Sequence, residues 1–203
     1  AGVPMDDYPD FQALAAVETQ GLDYRIRVLD RGAAISILAP HGGRIEPCTS
    51  SIAKAIAGDD FNLYCFEGLK EKNNRRLHIT SHRVDEPRAL RLLAASDLVV
   101  TIHACKDLEE RVYVGGRHLF LRLSVQDALE STGIKTFTKK HLAGMHPENI
   151  CNLGRTGMGI QLEFSRGLRD NQERWKMSSA VVRNTLQNWN FLTDQVEASR
   201  SRF

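Results

Sequence analysis

The sequence predicts an α/β fold, an open β-sheet with helices packed on it, and three segments carry that prediction. Residues 35–39 and 98–103 are apolar runs rich in branched residues and too short for helices, so each reads as a central strand covered on both faces. Residues 85–95 lie between them and open with an acidic residue and a proline, both favourable in the first turn of a helix. Strand, helix and strand make a βαβ unit, which brings the carboxyl ends of its parallel strands to one edge of the sheet. A chain of 203 residues suits one domain with a substantial core, spanning 1–203.

The remaining elements follow in order. Residues 10–20 place apolar side chains at helical spacing between Asp10 as a cap and Gly21 as a stop. Residues 24–30 alternate polar and apolar and read as a strand, and Asp30-Arg31-Gly32 offers a turn into 33–39, so the two strands are expected to form a hairpin. Residues 49–57 begin with hydroxyl side chains and end at Gly58, as a helix would, with its amino terminus facing the loop after residue 39. Strands are expected at 62–68, 77–80 and 134–139, a strand end and turn at 113–117, and a helix over 119–130 closed by Gly133. Residues 141–155, with Gly144, Pro147 and Gly154, read as a loop bordering a cleft. A late strand over 157–165 puts Gln161 and Glu163 on one face, and 170–199 reads as a helical packing segment carrying Trp175, Val182, Leu186, Trp189 and Leu192.

Composition excludes several classes. A net charge of +2 with sparse aromatics gives no ground for a nucleic-acid binder. No apolar run is long enough to span a bilayer, and residues 1–10 lack a signal-peptide pattern, so the chain reads as soluble with no membrane partner. Cys48, Cys65, Cys105 and Cys151 form no C-x-x-C pair and read as free thiols, which fits synthesis in a reducing cytoplasm.

Both apolar strands end in histidine. His41 and Glu46 follow the first, separated by the permissive Gly42 and Gly43, and His103 ends the second. Two imidazoles and a carboxylate at adjoining strand ends are a catalytic zinc set with an open position, where the metal lowers the pKa of water toward ~7 and polarises a carbonyl. Amide hydrolysis also needs a carboxylate to take the proton and pass it to the leaving nitrogen, and Glu163 is the candidate. An oxyanion needs a cation or donors beside it, and Arg155 is the nearest in sequence. His78 and His82 stay unassigned. Asp85 and Glu86 read as helix caps, with Asp85 also open as an acceptor orienting a ligating imidazole.

The ordered strings PHGGRIEP, TSSIAKAI, HITSHRVDEPRAL, LVVTIHAC, YVGGR and NLGRTGMGIQLEFSRGLR, running from about Tyr24 to Arg169, resemble the phage-encoded poly-γ-glutamate hydrolases. That family is related in design to the zinc carboxypeptidases. The resemblance implies a mixed α/β sheet flanked by helices, one zinc ion per chain held by His41, Glu46 and His103, Glu163 as general base, and cleavage of γ-glutamyl amide bonds. The spacing departs from the shorter His-x-x-Glu of ordinary carboxypeptidases. Such a polymer carries a free α-carboxylate on every residue, and arginine pairs with carboxylates bidentately, so Arg44, Arg83 and Arg166, with Arg155, are the expected substrate contacts. The expected enzyme is a monomer that cuts within the polymer, made in the cytoplasm and released by host lysis. Two alternatives stay open: a small-substrate amidohydrolase of the N-formylglutamate type, and a non-catalytic module that grips an anionic polymer.

Overall fold

Strand β2 (Ile35–Gly43) is buried at every position but its last, and a strand covered on both faces needs a strand on either side and helices above and below. A computed structural model describes residues 6–189 and supplies all four. The other strands are β1 (Tyr24–Leu29), β3 (Asn62–Gly68), β4 (Leu98–Ala104), β5 (Arg111–Gly115), β6 (Lys135–Phe137) and β7 (Ile160–Phe164). They form one seven-stranded sheet in the order β1-β3-β2-β4-β7-β5-β6. The four central strands run parallel, whereas β1 is antiparallel to β3 and β5 to β7, so the sheet is mixed.

The helices are α1 (Phe11–Val17), α2 (Thr49–Ala57), α3 (Pro87–Ala94), α4 (Leu119–Glu130), α5 (Arg166–Asp170) and α6 (Gln172–Gln187). On one face Ile37, Ile52, Ile56, Ile102, Trp175 and Val182 join the sheet to α2 and α6. On the other, Leu38, Tyr64, Leu92, Leu93 and Val99 join it to α3. The chain leaves β2 over α2 to reach β3 on one side, then crosses by α3 to β4 on β2's other side. The order therefore reverses between β2 and β4, and a crevice opens at their carboxyl ends.

The expected hairpin between residues 24–30 and 33–39 does not form. Strand β1 pairs with β3 instead, Tyr24 opposite Gly68 and Leu29 opposite Leu63. The reason is burial: β1 alternates between buried or half-buried and exposed positions and suits a sheet edge, while β2 takes its neighbours from two crossover connections. Residues 74–77 form a 3-10 turn rather than leading into a strand at 77–80. Glu86, not Asp85, caps α3, accepting from the Ala89 amide at 2.9 Å, and Asp85 accepts from the Phe11 amide at 2.7 Å. The expected helical segment 170–199 is α5's end and α6, while Leu192 lies outside the described residues.

Candidate active site

The carboxyl end of β2 turns sharply to bring Glu46 back over His41. The Glu46 amide donates to the His41 carbonyl at 2.9 Å and Thr49 Oγ1 donates to the Glu46 carbonyl at 2.8 Å, which joins the turn to the start of α2. Gly43 makes the turn possible: its φ is +64°, and a Cβ there would lie 2.5 Å from the Gly68 carbonyl oxygen. Glu46 Oε2 in turn accepts the Ala104 amide at the end of β4 at 3.0 Å, tying the two strand ends together.

His41, Glu46 and His103 converge. His41 Nδ1 lies 3.1 Å from His103 Nδ1 and 3.3 Å from Glu46 Oε1, and His103 Nδ1 lies 3.6 Å from Glu46 Oε2. His41 Nε2 sits 2.7 Å from the Ile79 carbonyl oxygen, which can only accept, so Nε2 carries a ring hydrogen and Nδ1 faces inward. The two imidazoles are buried, and His103 Nε2 has no hydrogen-bond partner among the described residues. Burial raises the Glu46 pKa, but the charges of His41 and His103 and their hydrogen bonds outweigh it and hold the carboxyl well below its ordinary range. For His103 burial acts downward, and the hydrogen bond and charge of Glu46, helped by Glu163, bring the net shift upward.

Two overlapping triads can be drawn. His41, Glu46 and His78 offer ligand atoms within 4.8 Å of one another. His103 also lies close to both His41 and Glu46, although His41 and His103 approach different oxygens of Glu46, Oε1 at 3.3 Å and Oε2 at 3.6 Å. His78 stacks on His41 with ring centroids 4.0 Å apart, and its Nδ1 lies 2.7 Å from Asp6 Oδ1. Asp6 also accepts from the Thr80 amide and hydroxyl, each at 2.6 Å. Burial and the neighbouring His41 push the His78 pKa down to about 4 despite Asp6, so the ring is neutral, gives its Nδ1 hydrogen to Asp6 and keeps a lone pair on Nε2. Imidazole and carboxylate donors of this kind suit a zinc-like ion, with His78 and His103 both near His41 and Glu46.

Glu163 stands opposite His103 in the β4–β7 ladder. It is buried, and burial raises its pKa, assisted by the charge of Glu46 and opposed by the imidazoles. Gln161 Nε2 donates to Glu163 Oε1 at 3.2 Å, so the two share a face. All five of His41, Glu46, His78, His103 and Glu163 line a cleft of about 490 Å³, walled on the far side by residues 140–146 and Asn149.

The arginines are placed otherwise. Arg155 lies at the amino end of β4, its amide donating to the Ser96 carbonyl at 2.8 Å and its guanidinium paired with Asp97 at 2.7 Å. That is the opposite edge of the sheet from His103, so Arg155 is not placed for the expected oxyanion role: residue 155 precedes β7, and Glu163 lies near that strand's far end. Arg44 Nη1 donates to the Lys70 carbonyl at 2.9 Å, Arg166 pairs with Asp170 at 3.4 Å, and neither lines the cleft. Arg83 borders an adjoining groove, which shares His82 with the cleft. The residues that sequence reasoning left aside are His78, its partner Asp6, and His82.

An open α/β sheet with two imidazoles and a carboxylate at its switch point defines a protein suited to bind a metal ion beside a buried acid. The chain belongs to the poly-gamma-glutamate hydrolase family, whose model matches residues 8–192. It is 38% identical to the UPF0714 protein YmaC of Bacillus subtilis (strain 168) over 169 residues, 81% of this chain and 71% of YmaC. Among solved structures it is similar to a bacteriophage poly-gamma-glutamate hydrolase, with a TM-score of 0.88 and 28% identity over 93% of this chain and all of that one. It is also similar to YndL in its apo, zinc-free form, with a TM-score of 0.85 and 30% identity over 91% of this chain and 98% of that one.

Proposed function

We propose that this protein is a zinc-dependent hydrolase that cuts γ-glutamyl amide bonds within poly-γ-glutamate. Membership of the poly-gamma-glutamate hydrolase family supports the substrate. The observation that carries the chemistry is the convergence of His41 Nδ1 and His103 Nδ1, 3.1 Å apart, on the Glu46 carboxylate, His41 at 3.3 Å from Oε1 and His103 at 3.6 Å from Oε2. These three residues would hold the ion, and the description of one relative as zinc-free fits that reading. When bound there, zinc would acidify water and polarise the amide carbonyl.

The chain's own groups do the rest. His41 is held in the ligating tautomer by the Ile79 carbonyl, and Glu46 is fixed by the Ala104 amide. Water oxygen bonds to the amide carbon as Glu163 takes the proton; as the carbon–nitrogen bond breaks, Glu163 returns that proton to the leaving nitrogen. Gln161 orients the Glu163 carboxylate through its amide. A cleft open to solvent, rather than a closed pocket for a chain end, favours cutting along the polymer over a small-substrate amidohydrolase.

The test is fragment release from purified poly-γ-glutamate with metal content measured on the same protein. Activity that dies on chelation and returns with zinc supports the reading. Cleavage of N-formylglutamate with no action on the polymer would replace the substrate.

A further inference from the structure

We infer that the rim of the cleft, His82 and His146 with Lys140, is a carboxylate-binding subsite that takes the free α-carboxylates of a γ-linked glutamate chain. This rests on the hydrolase reading above for the identity of its ligand. The arginines that a polyanion would be expected to meet are paired on the outside or lie in the neighbouring groove, and no arginine is among the described residues lining the cleft. Lys140 is the lining residue that carries a permanent positive charge. All three rim side chains are exposed, so each can be reached by a ligand lying over the floor formed by the catalytic groups.

The rings of His82 and His146 are 5.1 Å apart between centroids. His146 Nδ1 accepts the Glu148 amide at 3.2 Å, which places the ring hydrogen on Nε2 and makes it a donor. The two histidines come from segments 64 residues apart, and the structure builds their meeting. The Ile150 amide donates to the Ser81 carbonyl at 2.9 Å, fastening the wall beside His82. Asn152 Nδ2 donates to the carbonyls of Gly144 and His146 at 2.8 and 2.9 Å, and the Gly116 amide to that of Ala143 at 2.7 Å. Gly115 is needed for this close approach, since a Cβ there would lie 2.5 Å from the Ala143 carbonyl oxygen. Finally Asn149 Nδ2 donates to Gln161 Oε1 at 3.1 Å, so the wall that presents the rim is joined to the residue that orients Glu163.

A fixed cation and two imidazole donors lining one cleft can hold a carboxylate by charge-assisted hydrogen bonds without the bidentate fork of arginine. Such a hold on a chain with one carboxylate per residue would set the register of the scissile bond over Glu163.

The experiment is calorimetric titration of oligo-γ-glutamate into the full chain carrying Glu163→Gln, compared with the same chain bearing His82→Ala with His146→Ala, and separately Lys140→Glu. Each addition is expected to weaken binding by about tenfold or more, as for loss of hydrogen bonds to a charged group. The parent is expected to bind oligo-γ-aminobutyrate, the same backbone without α-carboxylates, at least tenfold more weakly. Equal affinity in parent and rim variants overturns the subsite, as does a parent that binds no oligo-γ-glutamate. If the histidine variant does not fold, as judged by far-ultraviolet circular dichroism, Lys140→Glu decides alone. Rim-dependent binding in a protein whose unsubstituted form releases no fragments would leave the subsite standing and overturn the hydrolase reading.

Discussion

Single side chains at this site have divided duties, and substitution separates them. Glu163 touches no atom of the His41–Glu46–His103 triangle by hydrogen bond, so Glu163→Gln is expected to keep metal while losing about 10²–10⁴-fold in turnover. Glu46→Ala removes one of the three proposed ligands and the brace on Ala104, and is expected to bring metal content by elemental analysis close to zero. Glu18 tests the charge balance away from the cleft. It is buried, which raises its pKa, but hydrogen bonds from Lys70 and Tyr8 outweigh burial and the net shift is downward. A lowered folded pKa gives stability that is present above the unfolded value of about 4.3 and is lost as pH falls through the folded value. Glu18→Gln is therefore expected to cost about 1–2 kcal/mol at neutral pH and to flatten the acid limb in urea denaturation. The convergence of His41, Glu46 and His103 was legible because His41 and His103 lie near the carboxyl ends of β2 and β4 and Glu46 in the turn after β2, where a local pattern predicts the place. Asp6 was not, since its contact with His78 spans 72 residues, and Arg155 misled because its partner Asp97 belongs to the other edge of the sheet.

At the scale of elements, the turn after β2 is the part on which the site depends most. Gly43→Ala meets both a positive φ and a backbone oxygen at 2.5 Å, and is expected to destabilise by about 1–3 kcal/mol in chemical denaturation, with a matching loss of metal affinity. The central strands and α2, α3 and α4 were readable from their apolar patterns, helped by Gly58 at the end of α2 and by Glu86 and Pro87 at the start of α3. The β1–β2 hairpin was misread for a physical reason: Asp30-Arg31-Gly32 has turn chemistry, but pairing is decided by which strands must be buried on both sides. The wall at 140–149 was readable as a loop beside a cleft, yet its rim was not, because hydrogen bonds from Asn152, Gly116 and Ile150 place it rather than any local propensity.

For the whole molecule, the mixed sheet with its reversal between β2 and β4 explains why one crevice gathers groups from β2, β4 and β7. Among the described residues no helix is long and apolar enough to cross a membrane. Because the proposed ligands stand on, or just beyond, strands packed between two hydrophobic layers, chelation is expected to leave the far-ultraviolet circular dichroism unchanged. It should nonetheless lower the thermal midpoint, with about 2.7 kcal/mol withdrawn where free zinc had stood at 100 times its dissociation constant. The central claim, that a metal held by His41, Glu46 and His103 and a proton carried by Glu163 together cut the polymer, is tested most directly by one paired measurement. Fragment release from poly-γ-glutamate and zinc per chain are read on the unsubstituted protein and on Glu163→Gln. The account predicts one zinc in both and fragments from the first alone; fragments from both, or activity without bound metal, would contradict it.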